Sequence, residues 1–132
     1  MLERDIEREI LPYCRTHGIG IIAYSPMQSG LLSGSFDRAK VEATDWRIVH
    51  SEKFREPKFS RGLRVVEAVR PIAAKYGRTV GQLAIAWVLM NSGVTSAIVG
   101  ARRAGQVEQN AEAVGWKIAP ADLAEIDQIL DE

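Results

Sequence analysis

Apolar residues recur along this chain in two rhythms: a spacing of three or four, and short unbroken runs. The first marks amphipathic helices and the second buried strands. Leu2, Ile6, Ile10, Tyr13 and Cys14 follow the helical spacing with Glu and Arg between them. Pro12 falls inside the pattern, so the regular turn starts near Arg8 or the helix bends there. His17-Gly18 closes it with a cationic-capable last turn and a glycine cap. Ile19 to Ala23 then reads as a strand, continuous in apolar character and expected to be covered on both faces.

From Ser25 to Ser60 the rhythm dissolves among Pro26, Gly30, Gly34, Pro57 and many charges, with short periodic pieces near Asp37 to Ala43. A connection this long is uncommon in a compact domain and is usually a functional lid or a disordered segment. Trp46 and Phe54 indicate that it folds back onto an apolar surface. Helical spacing returns from Gly62 to Tyr76 through Leu63, Val66, Val69, Ile72 and Ala73. Thr79 is a good N-cap for a further helix through Met90, carrying Leu83, Ala86, Trp87 and Met90 on one face. Thr95 to Val99 is the second strand, followed at once by a helix from Ala104 to Val114. Pro120 opens a last helix with Leu123, Ile126, Ile129 and Leu130.

Strands alternating with helices imply an α/β fold with right-handed crossovers in a parallel sheet. Two parallel strands with about five helices cannot close a barrel and leave two raw edges. Either a partner supplies the rest, or the sequence is part of a TIM (β/α)8 barrel.

Composition narrows the function without naming it. The 17 basic and 17 acidic residues cancel, which removes any general field that would favour nucleic acid or an anionic membrane. Cys14 is the only cysteine, so an internal disulfide and a cysteine metal quartet are excluded; beside Tyr13 it is expected as a small buried core residue. The sequence opens on charged, helical residues and holds no run near the ~20 apolar residues of a membrane helix, so the chain is expected to be soluble and cytoplasmic. His17 fits a helix cap, and His50 has no neighbours at metal-ligand spacing. Acidic residues pair with Arg or Lys on helical outer faces. No nucleophile elbow, Walker loop or zinc-protease motif is present. No catalytic or metal-ligating residue is therefore assigned.

Binding chemistry is better represented. In parallel α/β folds ligands bind at the carboxyl ends of strands. Tyr24 and Ser25 stand there after the first strand, and Tyr24 either stacks on a planar heterocycle or caps the end of a barrel. The run Gly30 to Gly34 offers backbone groups and close approach. After the second strand, Gly100-Ala101-Arg102-Arg103 leading into a helix forms an anion site in which phosphate is the natural occupant. Gln106 and Asn110 share one face of that helix, either reading a nucleotide or simply solvated.

These residues match a family. Ile21-Ile22-Ala23-Tyr24-Ser25-Pro26 with Gly30-Leu31-Leu32-Ser33-Gly34 resembles the seventh-strand segment of aldo-keto reductases. Val80 to Leu89 resembles the helix before their last strand. Ile98-Val99-Gly100-Ala101-Arg102-Arg103 with Gln106, Glu108 and Asn110 resembles their final strand and cofactor-binding helix. The resemblance spans residues 1–132 and identifies the chain as the carboxyl-terminal part of such a barrel, with 35–60 a long variable loop over cofactor or substrate.

The resemblance implies an oxidoreductase that reduces aldehydes and ketones by hydride transfer from NADPH, with NADH left open. Tyr24 would stack on the nicotinamide, while Ser25, Met27 and the loop to Ser33 would cover the pyrophosphate. Gly100, Ala101, Arg102 and Arg103 would lie along the adenosine 2′-phosphate, and Gln106, Gln109 and Asn110 at the adenine end. Many members carry Lys-Ser where this chain has Gly100-Ala101; Arg102 or Arg103 would supply the missing charge. The family's Asp-Tyr-Lys-His tetrad belongs to the first half of the barrel. Met1 stands just past the sixth strand in this comparison, so the tetrad is expected to lie outside this sequence and the 132 residues alone to be inactive. The rival expectation is a non-catalytic half-barrel that binds a missing amino-terminal part or associates with itself.

Overall fold

The computed structural model describes residues 1–131. A 3-10 turn at Asp5–Glu7 leads into α1 (Ile10–Thr16) and β1 (Ile21–Tyr24). A long connection holds 3-10 turns at Gln28–Ser33, Arg38–Lys40 and Glu52–Phe54 and the short helix α2 (Trp46–His50). Helices α3 (Lys58–Lys75) and α4 (Val80–Leu89), strand β2 (Val94–Ile98), and helices α5 (Gln106–Ala111) and α6 (Pro120–Asp131) complete the order. That gives six α-helices among the described residues, one more than the sequence pattern suggested. The addition is α2, whose cap is polar and whose length is a single turn: the Asp45 carboxylate accepts from the Arg47 N–H at 2.9 Å.

The core lies between helices. Val69, Leu83 and Ile126 retain no exposure, and Val65, Val66, Ile72, Ile85 and Leu130 are buried with them. Burying each such side chain contributes about 1.5–3 kcal/mol. In α3 these residues follow the expected spacing, yet the helix starts four residues earlier than that spacing indicated. Its first turn is polar, and the Glu56 carboxylate holds it by accepting from the Ser60 N–H at 3.3 Å and the Ser60 hydroxyl at 2.8 Å. Helix α4 is buried all round from Val80 to Ala86, more than the single apolar face expected. A capping box starts it: Thr79 Oγ1 accepts from the Gln82 N–H at 3.2 Å, and the Gln82 side chain accepts from the Thr79 N–H at 2.9 Å.

In α1, Pro12 falls in the first turn, where helical N–H groups have no intrahelical acceptor to lose. Leu11 is the buried anchor of this helix, packed so closely on Gly93 that a β-carbon there would come within 3.0 Å of it. Cys14 is only half-buried and Tyr13 is exposed, which corrects their expected place in the core: α1 turns Leu11 inward and this neighbouring face outward.

Strands β1 and β2 pair in parallel, with Ile22 opposite Ser96, Ala23 opposite Ala97 and Tyr24 opposite Ile98. The expectation that β1 is covered on both faces fails. Ile22 and Tyr24 are 64% and 82% exposed, while Ile21 and Ala23 turn toward the helices. An apolar run with period-two orientation presents two faces, and the described residues cover one.

Candidate functional site

Parallel pairing puts the carboxyl ends of β1 and β2 side by side, so the connections leaving Tyr24 and Ile98 emerge together. Tyr24 stands at this end with its ring largely free. The next residues fold into a tight left-handed loop. Ser25, Gln28 and Ser29 have φ of 55°, 50° and 55°, unusual for residues with a β-carbon. Ser25 Oγ accepts from the Ser29 N–H at 3.2 Å, and the Met27 carbonyl accepts from the N–H groups of Gly30 and Leu32 at 3.0 and 3.1 Å. Leu31 and Leu32, each 1% exposed, pin the loop to the core.

Met27 and Ser33 pack on α4: a β-carbon at Gly81 would lie 3.3 Å from the Met27 sulfur and 3.6 Å from Ser33 Cα. Ser33 Oγ also accepts from the Ser35 N–H at 3.3 Å. Gly34 closes the loop at φ +78°, with Val80 3.0 Å from where its β-carbon would be, so both conformation and space demand glycine. Arg70 Nη2 donates to its carbonyl at 3.1 Å.

The connection after β2 departs from expectation. Its helix begins at Gln106, after an irregular stretch ending in left-handed Gly105, and spans six residues. Gln106 Oε1 accepts from the N–H groups of Arg102 and Arg103 at 2.7 and 3.0 Å, so those amides are satisfied internally. An anion here meets guanidinium groups rather than a row of free helix amides. Asn110 Nδ2 donates to the Gly100 carbonyl at 3.4 Å. Gln106 and Asn110 thus brace the loop that carries Gly100, Ala101, Arg102 and Arg103, all four of which are exposed. Gln109 presents its side chain to solvent while its carbonyl accepts from Gln82 Nε2 at 2.9 Å.

Sequence reasoning missed two organisers of this end. Gln82 caps α4 and also reaches Gln109 and Glu112 on the α5 segment; its capping spacing was legible, its second partner was not. Arg47, from the long connection, donates to the Ser29 carbonyl at 3.3 Å and pairs with Asp45 at 2.7 Å. Asp45 is held down to about 2, first by its bonds from Arg47 and further by the nearby Arg102 charge. The connection is therefore tied to the loop after β1. Among the described residues no group of three His, Cys, Asp or Glu side chains is gathered for a metal, and no helix is long and apolar enough to cross a membrane.

A half-shell of helices around two parallel strands, with loops gathered at their carboxyl ends, is a partial (β/α)8 barrel. The sequence model of the Aldo/keto reductase family matches residues 1–131, and the chain belongs to that family. An aldo-keto reductase of Bacillus subtilis is 34% identical over 99% of this chain and 40% of its own length. The NADH-specific methylglyoxal reductase of Escherichia coli is 33% identical over 92% of this chain and 37% of its own. The structure of a glycerol dehydrogenase from Gluconobacter oxydans matches with a TM-score of 0.85 at 34% identity, covering 97% of this chain and 39% of that one. The chain thus spans about 40% of the length of such relatives. Members of the family use nicotinamide cofactors.

Proposed function

We propose that this chain is the carboxyl-terminal, dinucleotide-binding part of an NADPH-dependent aldo-keto reductase that converts aldehydes and ketones to alcohols. The observation that carries this reading is the parallel pairing of Tyr24 with Ile98, which brings both strand-end loops to one edge. The chemistry of the donor set suits an extended dinucleotide. The open ring of Tyr24 offers a stacking face for nicotinamide. Ser25, Met27 and the loop to Ser33 flank the path of the pyrophosphate. Arg102 and Arg103 are exposed and join no salt bridge among the described residues. A 2′-phosphate suits their planar guanidinium donors. Gly100 and Ala101 border that phosphate, and Gln106, Gln109 and Asn110 lie toward the adenine end.

When bound, the reduced cofactor supplies a hydride to a carbonyl carbon. The proton donor and its partners are proposed to lie in the part of the barrel outside this sequence. A positioned general acid contributes about 10²–10⁴-fold, so the 132 residues alone bind cofactor without turning over carbonyl substrates. The setting is proposed to be cytoplasmic, and residues 35–60 to form a variable segment over the cofactor or substrate.

Fluorescence titration with NADPH tests the reading. Saturable enhancement that weakens in Arg102→Ala and Arg103→Ala supports it, and absence of any binding by the wild-type chain refutes it. A steady, carbonyl-dependent NADPH oxidation rate would refute the assignment of the acid elsewhere.

A second reading has its own observation. Ile22, Tyr24 and Ile98 leave an apolar surface 54–82% exposed on the two-stranded sheet, a typical association surface. In this reading the chain is a half-barrel that associates with itself or with an amino-terminal part and binds no nucleotide. Concentration-dependent mass in light scattering, together with a flat NADPH titration, would favour it.

A further inference from the structure

Arg47 ties the long connection to the loop after β1. Its Nε and Nη2 grip the Asp45 carboxylate at 2.9 and 2.7 Å, and its Nη1 donates to the Ser29 carbonyl eighteen residues back in the chain. The guanidinium also lies 5.6 Å from the ring centre of Phe36 and 6.0 Å from that of Phe54. Phe59 packs on both rings with centroids 5.9 and 6.0 Å away. Only 15% of the Arg47 side chain remains exposed. A planar fork stacked on aromatic rings and paired through two nitrogens is a role a lysine cannot fill.

The carbonyl it grips belongs to a strained residue. Ser29 has φ 55° and ψ 29°, and Gly30 beside it φ 96°. Left-handed conformations at non-glycine residues persist where the surroundings hold them. Within the loop, Ser25 Oγ holds the Ser29 N–H; from outside it, Arg47 holds the Ser29 carbonyl.

We propose that Arg47 is a positioning residue of the cofactor site. Through the Ser29 carbonyl it keeps the Gln28–Gly34 loop in the left-handed form that closes on the dinucleotide, and this bond sets how long the dinucleotide stays. The inference rests on the dinucleotide reading above and adds to it a residue outside the site motifs.

The test compares the wild-type chain with Arg47→Lys, which keeps the charge and loses the fork, and with Asp45→Asn, which loosens the fork's carboxylate partner. Hydrogen exchange is followed without ligand, and NADPH release by stopped-flow fluorescence. In both variants, exchange across residues 27–34 should quicken about tenfold while α3 and α4 keep their protection. NADPH release should quicken about tenfold with association unchanged. Unaltered exchange at 27–34, or exchange raised equally in α3 and α4, overturns the positioning role. Faster loop exchange with unaltered release overturns its connection to the cofactor. A wild-type chain that binds no NADPH overturns the dinucleotide reading itself and this inference with it.

Discussion

Lys75, the last residue of α3, donates at 2.7 Å to Asp122, 47 residues further along in the first turn of α6, and so joins the two helices. The Tyr76 hydroxyl donates to the same carboxylate and accepts from the Ala119 N–H at 2.9 Å. Asp122 is 7% exposed at its side chain. The ammonium of Lys75, and after it the Tyr76 hydroxyl, hold its carboxyl below the usual carboxylate range.

This cluster makes stability pH-dependent in a defined direction. A carboxyl whose folded pKa lies below its unfolded value of about 3.9 favours folding above that value. The contribution fades as pH falls through the folded pKa, because the native state must then accept a proton it resists. Asp122→Asn should lower the thermal midpoint at pH 7 by roughly 4–8 °C. The gap between variant and wild type should narrow on acidification from pH 5 toward 3. A gap independent of pH, measured by circular dichroism, would contradict the assignment.

Gly34 combines φ +78° with a β-carbon position 3.0 Å from Val80. Gly34→Ala should cost about 1–3 kcal/mol for the conformation, and more for the crowding. Gly18→Ala is the control: φ is +66° but nothing lies within 4 Å of the added carbon, so its cost should be clearly smaller. Urea midpoints decide the comparison, and equal costs would remove the packing contribution.

Leu83 is fully buried within the helical core. Leu83→Ala should therefore lose about 2–5 kcal/mol through lost burial and the cavity left behind. The urea midpoint should fall with the slope unchanged. A loss below 1 kcal/mol would mean that the helical layer is not the stabilising core.

The paired arginines bear on cofactor choice. Arg102→Ala combined with Arg103→Ala should weaken NADPH binding about tenfold to a hundredfold while changing NADH binding by less than about threefold, because the two cofactors differ only in the 2′-phosphate. Parallel titrations with both cofactors measure this. Equal losses would move the arginines from the 2′-phosphate to a group that the two cofactors share.

The helices of the core were legible because their signal is local. The spacing Val66, Val69, Ile72 marks the buried face of α3, and Thr79 caps α4 as expected, its hydroxyl oxygen accepting from the Gln82 N–H. The two strands and their parallel order were legible for the same reason, with boundaries off by one or two residues. The site was half legible: Tyr24 and Arg102-Arg103 stand at the strand ends as expected, whereas Gln106 turns back to cap its own loop.

The local pattern of the chain was thus enough to locate both strands, five of the six α-helices and the side chains at the strand ends, but not the one-turn α2 or the starts of α3 and α5. Periodicity and capping act within a few residues, and every such contact is written in the order of the chain. That Arg47 closes on Ser29, that Lys75 meets Asp122, and that Ile22 and Tyr24 face outward became visible in the folded arrangement alone. Those outcomes depend on which surfaces meet in space, and charged residues along a chain offer many partners of equal local merit until packing selects one.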